Sequence, residues 1–568
     1  MAPDISLSTL QDAPSLAQPC IDVGVDFFWD DFQTDSGFLP SSLMDTGMGL
    51  SGLSFAAGES AWHRNGPDAA RTSGRSLTSK LPSLEPESPQ RENDEGLQDE
   101  EKELDAAGDI NELDNLNTPL PGYAGLRPPM QTTANPWRLT AAGYTTVHTA
   151  VAPFRPVLPP EFVLPLRHAL SRYIEGYFRG FHAHLPFLHW PTFSPDSRAP
   201  ELVLALGAIG AMYRFEHARG YRLYTAAKAI ITWRLAQMPG SSDVDHLQLA
   251  QARLLLMALA SWGDGAVASE AIAMAGPIAM LCRDMGISDE DIESMSTDDD
   301  WLTWVRREER RRTLLAAYIL FNLQSVAFNV PPLLVNQEVR VGLPSSEAEW
   351  TANSPQDWHR ARLAPRARPQ SFQRALETLA SGTSIHKDGP VSAFANHALI
   401  HGLVQQLFWA RNANSCLAEA PTSLPEPFVL RIETALRAWQ ASWEATSESS
   451  LDPSSPRGPL GFNSTAFLRI AYIRLNAGPG PGRSLFARDP EAIAQAFCGG
   501  DAPLTRSPRL DRAVLQCIHA LSIPVRVGLP FVARTQTLSW SIQHALCNLE
   551  CALLLTRWLR VVAQVARD

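Results

Sequence analysis

Cysteine is scarce in this chain, and its spacing excludes the zinc modules that many DNA-binding proteins use. Seven cysteines are spread over 568 residues. A binuclear zinc cluster needs six closely spaced cysteines, and zinc fingers need cysteine pairs followed by histidine pairs. The one close pair, Cys547 and Cys551, lies in an apolar C-terminal segment, where we expect core packing. A sparse, odd set of cysteines in a long chain is typical of a reduced intracellular protein.

Long apolar segments and a secretory signal are also missing. The longest charge-free apolar run, residues 202–213, has 12 residues, against the roughly 20 that span a bilayer. The first 20 residues have neither a basic start nor an apolar centre. These absences predict a soluble chain with no membrane partner.

Signatures of catalysis are absent or out of context. Residues 47–52 match the dinucleotide motif G-x-G-x-x-G, but no strand pattern precedes them and no helix pattern follows. The G-x-S-x-G and H-E-x-x-H motifs do not occur. Asp298, Asp299 and Asp300 leave open a helical enzyme that uses magnesium on prenyl diphosphates, although a second metal-binding motif is missing downstream. We predict no catalytic, cofactor or metal site, and no enzyme.

Negative charge is concentrated at the N-terminal end. Residues 1–120 hold 23 acidic and 6 basic residues, whereas the rest of the chain holds 37 acidic and 42 basic residues. We predict that residues 1–150 form a disordered acidic tail. Within it, acids alternate with aromatic residues, a pattern that suits an activation segment folding onto a coactivator or the transcription machinery. These aromatic residues are Phe27, Phe28, Trp29 and Phe32. The alternatives are docking of this segment on its own domain, or no role.

Apolar residues from about position 160 onward recur at steps of three and four, which predicts helices. No alternating strand pattern of useful length occurs, so we predict an all-α fold that follows the tail. Residues 160–380 should form the core of this helical domain, and residues 390–568 its C-terminal part. Small residues in the segment 202–213 should let neighbouring helices approach closely, and residues 333–390 look irregular.

A basic run lies on the predicted helix that starts at Trp301. Five arginines fall between 306 and 312, but two glutamates among them reduce the net charge to +3, which argues against a DNA surface. Glu308 can reach arginines three and four positions later, and we expect a buried helix with a solvated basic shoulder. A better candidate for nuclear import is the acid-free segment 359–368, with Arg360, Arg362, Arg366 and Arg368.

Four motifs in a fixed order carry a family resemblance. They are His-Leu-Pro-Phe-Leu-His-Trp-Pro-Thr-Phe at 184–193, Trp-Leu-Thr-Trp-Val-Arg-Arg-Glu-Glu-Arg-Arg-Arg at 301–312, a Pro-Pro pair at 331–332, and Leu-Pro followed by Glu and Trp at 343–350. Their order and spacing resemble the regulatory middle homology domain of fungus-specific transcription factors. The residues that carry the resemblance are His184, Pro186, Phe187, His189, Pro191, Phe193, Trp301, Trp304, Glu308, Arg311, Pro331, Pro332, Leu343, Pro344 and Trp350.

Phe321 and the pair Asn329-Val330 depart from the subgroup with a binuclear zinc cluster, and are more similar to the subgroup with two N-terminal zinc fingers. The resemblance implies a nuclear regulator of RNA polymerase II genes that controls a metabolic or secondary-metabolite gene set. Zinc is expected only with fingers upstream of this sequence, so DNA contact would be indirect. Homo- or heterodimers are expected partners. The alternative is a non-activating module that binds an effector or interferes with a full-length factor.

Overall fold

The computed structural model describes residues 137–565, apart from 238–244, 264, 289–299, 364–369, 389–390, 418–423, 453–454, 479–484, 500–503, 505–506, 531 and 533–540. Within this part of the chain every regular element is a helix, and strand pairing is limited to one isolated bridge between Gly342 and Ser371. The predicted all-α fold is confirmed. The predicted activation segment, and Arg366 and Arg368, lie outside the described residues.

The α-helices are numbered in chain order. They are α1 (Ala141–Val151), α2 (Arg167–Gly176), α3 (Pro200–Tyr213), α4 (His217–Gln237), α5 (His246–Ser261), α6 (Gly265–Asp284), α7 (Trp301–Phe328), α8 (Glu347–Trp350), α9 (Pro355–Arg362), α10 (Phe372–Ala380), α11 (Ala393–Leu417), α12 (Glu426–Glu444), α13 (Leu460–Asn476), α14 (Pro490–Gly499), α15 (Pro508–Val527) and α16 (Ile542–Val565).

The folded part begins earlier than the predicted tail boundary at residue 150. Helix α1 lies inside the predicted tail, and it buries Val147 and Val151. Trp137 and Leu139, just before it, are also core residues. The helix is short and contributes only a few apolar positions, so its periodicity is too weak to stand out from a polar, proline-rich stretch. The predicted boundary is therefore wrong.

Residues 333–390, predicted to be irregular, contain the three short helices α8, α9 and α10. Each has a serine at its N-cap, and the hydroxyls of Ser346, Ser354 and Ser371 accept hydrogen bonds from backbone N–H groups of the first turn. Serine caps of this kind stabilise short helices that lack a long apolar stripe. The serines that suggested irregularity therefore mark helix starts.

Helices α2 and α3 cross at a contact made by glycine. A Cβ atom added to Gly210 would lie 1.6 Å from the backbone oxygen of Tyr173, and one added to Gly176 would lie 2.6 Å from the backbone oxygen of Gly210. The two backbones are therefore in direct contact, and side chains larger than hydrogen have no room. This confirms the prediction that small residues in 202–213 allow close approach.

One continuous core joins the N-terminal and C-terminal helices. It includes Leu170 of α2, Leu315 of α7, Leu403 of α11 and Phe467 of α13. Helix α7 packs on α11, which in turn packs on α12 and α13, and α15 and α16 cover α13. The helices thus form one body, with α13 enclosed near the C-terminal end.

Helix α6 is long and apolar enough, by length and composition, to cross a membrane. It packs against α5 and α7, and its buried residues Ala275, Ile278 and Leu281 belong to the main core. Core packing therefore accounts for its apolar character. The helix ends at Asp284, and Gly286 beyond it has a φ of 77°, the left-handed backbone that commonly follows a helix.

Candidate functional site

Three of the four sequence motifs meet at one place, which we call the motif junction. It lies where the segment 184–193 and the loop before α8 contact the first turns of α7. The junction consists of Pro186, His189, Glu308, Glu309, Arg312 and Trp350, all of them buried.

Glu308 is the acceptor at the centre of the junction. Its Oε1 atom accepts hydrogen bonds from Arg312 Nε at 2.9 Å and from the backbone N–H of Ser345 at 2.9 Å. Its Oε2 atom accepts from Arg311 Nη1 at 2.5 Å. Burial by itself raises the pKa of this carboxyl, but the charges of Arg311 and Arg312 and these hydrogen bonds outweigh burial and hold the pKa below its usual value. Glu308 is therefore ionised, buried and fully partnered.

Arg312 connects α7 to the other two motifs. Its guanidinium donates to the backbone oxygens of Ser345 at 3.1 Å and of Pro186 at 3.4 Å. The same group lies 4.2 Å from the ring centroid of Trp350, a distance at which a cation–π contact is favourable. Arg312 thus fixes segment 184–193 and α8 against α7.

Glu309, the next residue, also holds segment 184–193 against α7. Its Oε1 atom accepts from the backbone N–H of His189 at 2.8 Å and from Arg198 Nη2 at 3.3 Å. Burial raises the pKa of Glu309, and the charge of Arg198 only partly offsets that effect. The ring of His189 packs edge-on against Trp350, with centroids 4.9 Å apart. The histidine is therefore a packing residue whose backbone is hydrogen bonded.

These contacts correct the predicted solvated basic shoulder. Glu308 and Arg312 are 0% exposed, so their pair is buried, and Arg310 donates from Nε to the backbone oxygen of Met285 at 2.6 Å. The predicted apolar face is confirmed, because Trp304 and Val305 pack together with Trp350 and Trp358 while Trp301 is partly buried beside them. The shoulder prediction is thus wrong for Arg310, Arg311 and Arg312, whose side chains are used inside the fold, whereas Arg306 is exposed.

Among the other motif residues, Phe187, Phe193, Pro332 and Pro344 are buried, whereas His184, Pro191, Arg311 and Leu343 are partly buried and Pro331 is exposed. Pro331 and Pro332 follow the C-terminal end of α7, away from the junction. The backbone oxygen of Pro344 accepts from the hydroxyl of Ser392 at 3.2 Å, which ties the loop to the start of α11.

Acidification should destabilise the fold, because burial lowers the pKa of His189 and of His397 to about 3. Both rings stay neutral in the folded chain, while in the unfolded chain they take up protons below pH about 6.5. The contribution of the two neutral rings to stability is therefore complete above that pH. Below it, the free energy of unfolding falls by up to about 1.4 kcal/mol per pH unit for each histidine. Urea unfolding of the full chain at several pH values from 7 to 5 measures this slope, and His189→Asn should reduce it. An equal free energy of unfolding at both ends of the range would contradict the prediction.

A second buried polar group, which we call the C-terminal polar cluster, lies between α11, α13, α15 and α16. It consists of His397, His401, Asn463, Arg469, Gln543 and His544, each at most 5% exposed. His397 contacts Ser464 Oγ through Nδ1 at 3.1 Å and the Gln543 amide through Nε2 at 3.2 Å. His544 stacks on Phe462 at 3.9 Å, and His401 stacks on Phe467 at 3.8 Å.

Several atoms of this cluster have no hydrogen-bond partner among the described residues. They are Nδ1 and Nε2 of His401, Oδ1 of Asn463 and Oε1 of Gln543. Buried polar groups in proteins are almost always hydrogen bonded, so a concentration of unpartnered atoms requires an explanation. Asn463 also contacts His184 through Nδ2 at 3.1 Å, which connects the cluster to segment 184–193.

The residues of this cluster were not predicted as a site, because their signals in the sequence are weak. Arg469 and Arg474 are the only charged residues in α13, whose other residues are mostly apolar. A lone charge on a helix that is buried along its length is a signal of a specific partner. His397 and His401 lie four positions apart, which places both on one face of α11.

The described residues do not fit a zinc site. Among them, no group of three or more His, Cys, Asp or Glu side chains is placed to hold a metal ion. His182, His184 and His189 diverge, with contacts to Phe178, Asn463 and Thr192 respectively. Hydrogen bonding with Cys551 and burial raise the pKa of the Cys547 thiol well above its usual value, which disfavours the thiolate that zinc requires. Zinc would therefore have to bind outside this part of the chain.

Comparison with known families gives two matches. Residues 174–439 match the fungal specific transcription factor domain, and residues 478–568 match the fungal transcription factor C-terminal domain. Together they cover more than half of the chain, and the first includes the motif junction. The matched region extends beyond residue 380, where the predicted core was placed to end.

The curated relatives are fungal regulators. A nicotinate catabolism cluster-specific transcription factor of Emericella nidulans is 22% identical over 290 residues, which is 49% of this chain and 33% of that protein. A zinc finger protein of Schizosaccharomyces pombe is 26% identical over 260 residues, 42% of this chain and 41% of that protein. A transcription factor of Penicillium polonicum is 24% identical over 312 residues, 49% of this chain and 41% of that protein. The chain thus spans about a third to two fifths of the length of these relatives. No solved structure gives a significant match.

Proposed function

Since residues 174–439 of this chain are a fungal specific transcription factor domain, we propose that the protein is a transcriptional regulator of RNA polymerase II genes. The helical body acts as its regulatory part. The relatives are named as transcription factors or zinc finger proteins, and one is named for a catabolic gene cluster. By analogy, the chain controls a metabolic or secondary-metabolite gene set. These matches are to transcription factor domains, which favours a regulator over an enzyme.

One observation supports a helical body that regulates and a separate part that binds DNA: arginines of the basic run are used inside the fold. Arg311 and Arg312 pair with Glu308, and Arg310 binds a backbone oxygen, so these three guanidinium groups are engaged within the domain. DNA-binding surfaces need arginines that are free to contact phosphates and base edges. The helical body therefore regulates, while DNA contact is made through a partner or through zinc fingers outside this sequence.

Nuclear location follows from the same proposal. In the import candidate, Arg360 is mostly exposed, with 76% of its side chain accessible, and it pairs with Asp357 at 2.8 Å. Arg362 lies 4.4 Å from the ring centroid of Trp358. Weak surface pairing of this kind leaves Arg360 accessible to an import receptor.

Activation by the acidic tail should be measurable in a reporter assay. The full chain fused to an unrelated DNA-binding domain should activate a reporter gene in fungal cells. Replacing Phe27, Phe28, Trp29 and Phe32 together with alanine should reduce activation about fivefold or more, because apolar anchors supply the contacts of a segment that folds on binding. The matched control replaces Phe55 and Trp62, which lie outside the acidic–aromatic segment, and should retain activation.

The second candidate is a non-activating binding module. It is favoured by the buried unpartnered polar atoms of the C-terminal polar cluster, since these can serve a ligand without any transcriptional output. In that case the full-chain fusion stays silent in the reporter assay. Silence of both the full chain and a fusion of residues 1–136 would overturn the activator proposal.

A further inference from the structure

Within the part of the chain that the structure describes, Arg469 is a buried cation without a carboxylate partner. It is 4% exposed, and its one hydrogen bond within the described chain runs from Nη1 to the hydroxyl of Thr465 at 3.1 Å. Among the described residues, no acidic side chain forms an ion pair with it. A charge that has been removed from water is normally paired, because desolvation strongly disfavours an isolated charge.

Arg474, one turn later on the same helix, shows the ordinary arrangement. It is also 4% exposed, but it pairs with Glu550 at 2.5 Å and donates to the backbone oxygen of Val326 at 3.0 Å. The two arginines have the same burial and the same helix, and they differ in having a counter-charge. Within the described residues, Arg469 therefore lacks the counter-charge that Arg474 has.

The groups around Arg469 are neutral. Burial, followed by the charge of Arg469, keeps the pKa of His544 well below its usual value, and the same two causes lower the pKa of His519. The thiols of Cys547 and Cys551 have raised pKa values, so they do not supply a negative charge. The charge of Arg469 therefore acts on neutral imidazoles and thiols.

We propose that the C-terminal polar cluster is the binding site of a small monocarboxylate, with Arg469 as its counter-ion. The planar fork of a guanidinium matches a carboxylate in two parallel hydrogen bonds. The Oδ1 atom of Asn463 and the Oε1 atom of Gln543 are unpartnered acceptors and would receive hydrogen bonds from donor groups of the same ligand. Phe462 and the ring of His544 stacked on it offer a flat apolar wall for its body.

Charge and chemistry together select this class of ligand. A single unpaired guanidinium neutralises one negative charge, whereas a phosphate dianion would be left with an excess in a neutral surrounding. Buried water can satisfy amide oxygens, but it cannot neutralise a cation. The bound acid would act as an effector of the helical body, a role that rests on the proposed function, while binding itself does not.

Thermal unfolding of the purified full chain tests the site. Benzoate at about 20 mM should raise the unfolding midpoint by about 2 °C or more, because a ligand of the folded state stabilises it by mass action. Benzamide, the neutral analogue of the same shape, and sodium chloride at equal concentration should leave it unchanged. Arg469→Met should abolish the benzoate shift.

The stability of the variants gives an independent readout. Arg469→Met removes an unpaired buried charge, so its midpoint without ligand should equal or exceed that of the unmodified chain. Arg474→Met is the matched control and should lower the midpoint by several degrees, roughly 4 °C or more, because it strands Glu550. A fall in Arg469→Met as large as in the control would overturn the proposal, since Arg469 would then be a structural residue.

Three further results would also overturn it. They are no shift with benzoate or hexanoate, an equal shift with inorganic phosphate, and a benzoate shift that persists in Arg469→Met. Because these measurements use purified protein, they are independent of the reporter assay. A chain that binds the acid but does not activate transcription supports the site and contradicts the activator proposal. A chain that activates transcription but does not bind the acid supports the activator proposal and contradicts the site.

Discussion

Replacing Glu308 with glutamine is expected to destabilise the full chain by about 3–5 kcal/mol, because it leaves the buried Arg312 with only the partly exposed Glu347, at 3.5 Å, as a counter-charge. Arg312 is 0% exposed and cannot turn toward solvent when the carboxylate is lost. Glutamine keeps the shape of the side chain, so the loss reports charge and hydrogen bonding and not a cavity. Urea unfolding of the purified variant, followed by far-ultraviolet circular dichroism, measures the change in midpoint.

A surface pair provides the matched control for Glu308→Gln. Arg360 and Asp357 are three residues apart on a helix, as Glu308 and Arg311 are, but their side chains are 76% and 44% exposed. Arg360→Gln should therefore cost less than about 1 kcal/mol. Equal losses in the two variants would show that burial does not strengthen the Glu308 interactions, and would contradict the description of the motif junction as a buried ionic contact.

The double variant Glu308→Gln, Arg312→Met refines the same prediction. Removing both charges avoids the uncompensated guanidinium, so part of the stability should return relative to Glu308→Gln alone. The recovery should be incomplete, since Arg312 also donates to the backbone oxygens of Pro186 and Ser345. A double variant less stable than either single variant would mean that the charges are not coupled as the geometry requires.

Replacing Gly210 with alanine is expected to have a comparable effect, about 3 kcal/mol or more, through steric overlap. The added Cβ would lie 1.6 Å from the backbone oxygen of Tyr173, and backbone cannot rotate away as a side chain can. Helices α2 and α3 must then separate, which opens the core on both sides of the contact. Differential scanning calorimetry of the full chain measures the fall in the unfolding midpoint.

Gly207, one turn earlier on α3, is the control for this steric argument. A Cβ there would meet Leu223 Cδ1 at 3.3 Å, the end of a flexible side chain. Gly207→Ala should be close to neutral, because the gain in helix propensity, about 1 kcal/mol, offsets a small adjustment of Leu223. A large loss in Gly207→Ala together with a small loss in Gly210→Ala would contradict the packing of α2 on α3.

Much of this fold could be predicted from the sequence because the signals are local. The long helices α4 to α7, α11 to α13, α15 and α16 fall in segments where the apolar repeat predicts helix, since each carries that repeat over several turns, whereas the ten-residue α14 was not predicted. Predicted helix boundaries were wrong where a proline, and not the apolar repeat, set the end of the helix. The helix predicted from Phe162 begins at Arg167, because Pro165 disfavours helical backbone in the residue before it.

The sites were harder to predict because they depend on contacts between distant residues. The spacing of Glu308 and Arg312 predicted a pair, but the pair's burial depends on Pro186 and Ser345 from other segments. His397, Asn463 and Gln543 are each unremarkable in sequence and become a cluster through the packing of α11, α13 and α16. Helical periodicity identifies which face is buried, but it does not identify the residue on the opposite side of the contact.

The single core that joins the two family matches has a consequence for synthesis in the cell. Residues after 439 emerge last from the ribosome, and about 130 of them must be added, which takes roughly 6–26 s at ordinary elongation rates. Until α13 arrives, the face of α11 that packs on it has no cover. The nascent chain therefore exposes an apolar surface during that interval. The yield of folded protein should depend on chaperones that shield such surfaces.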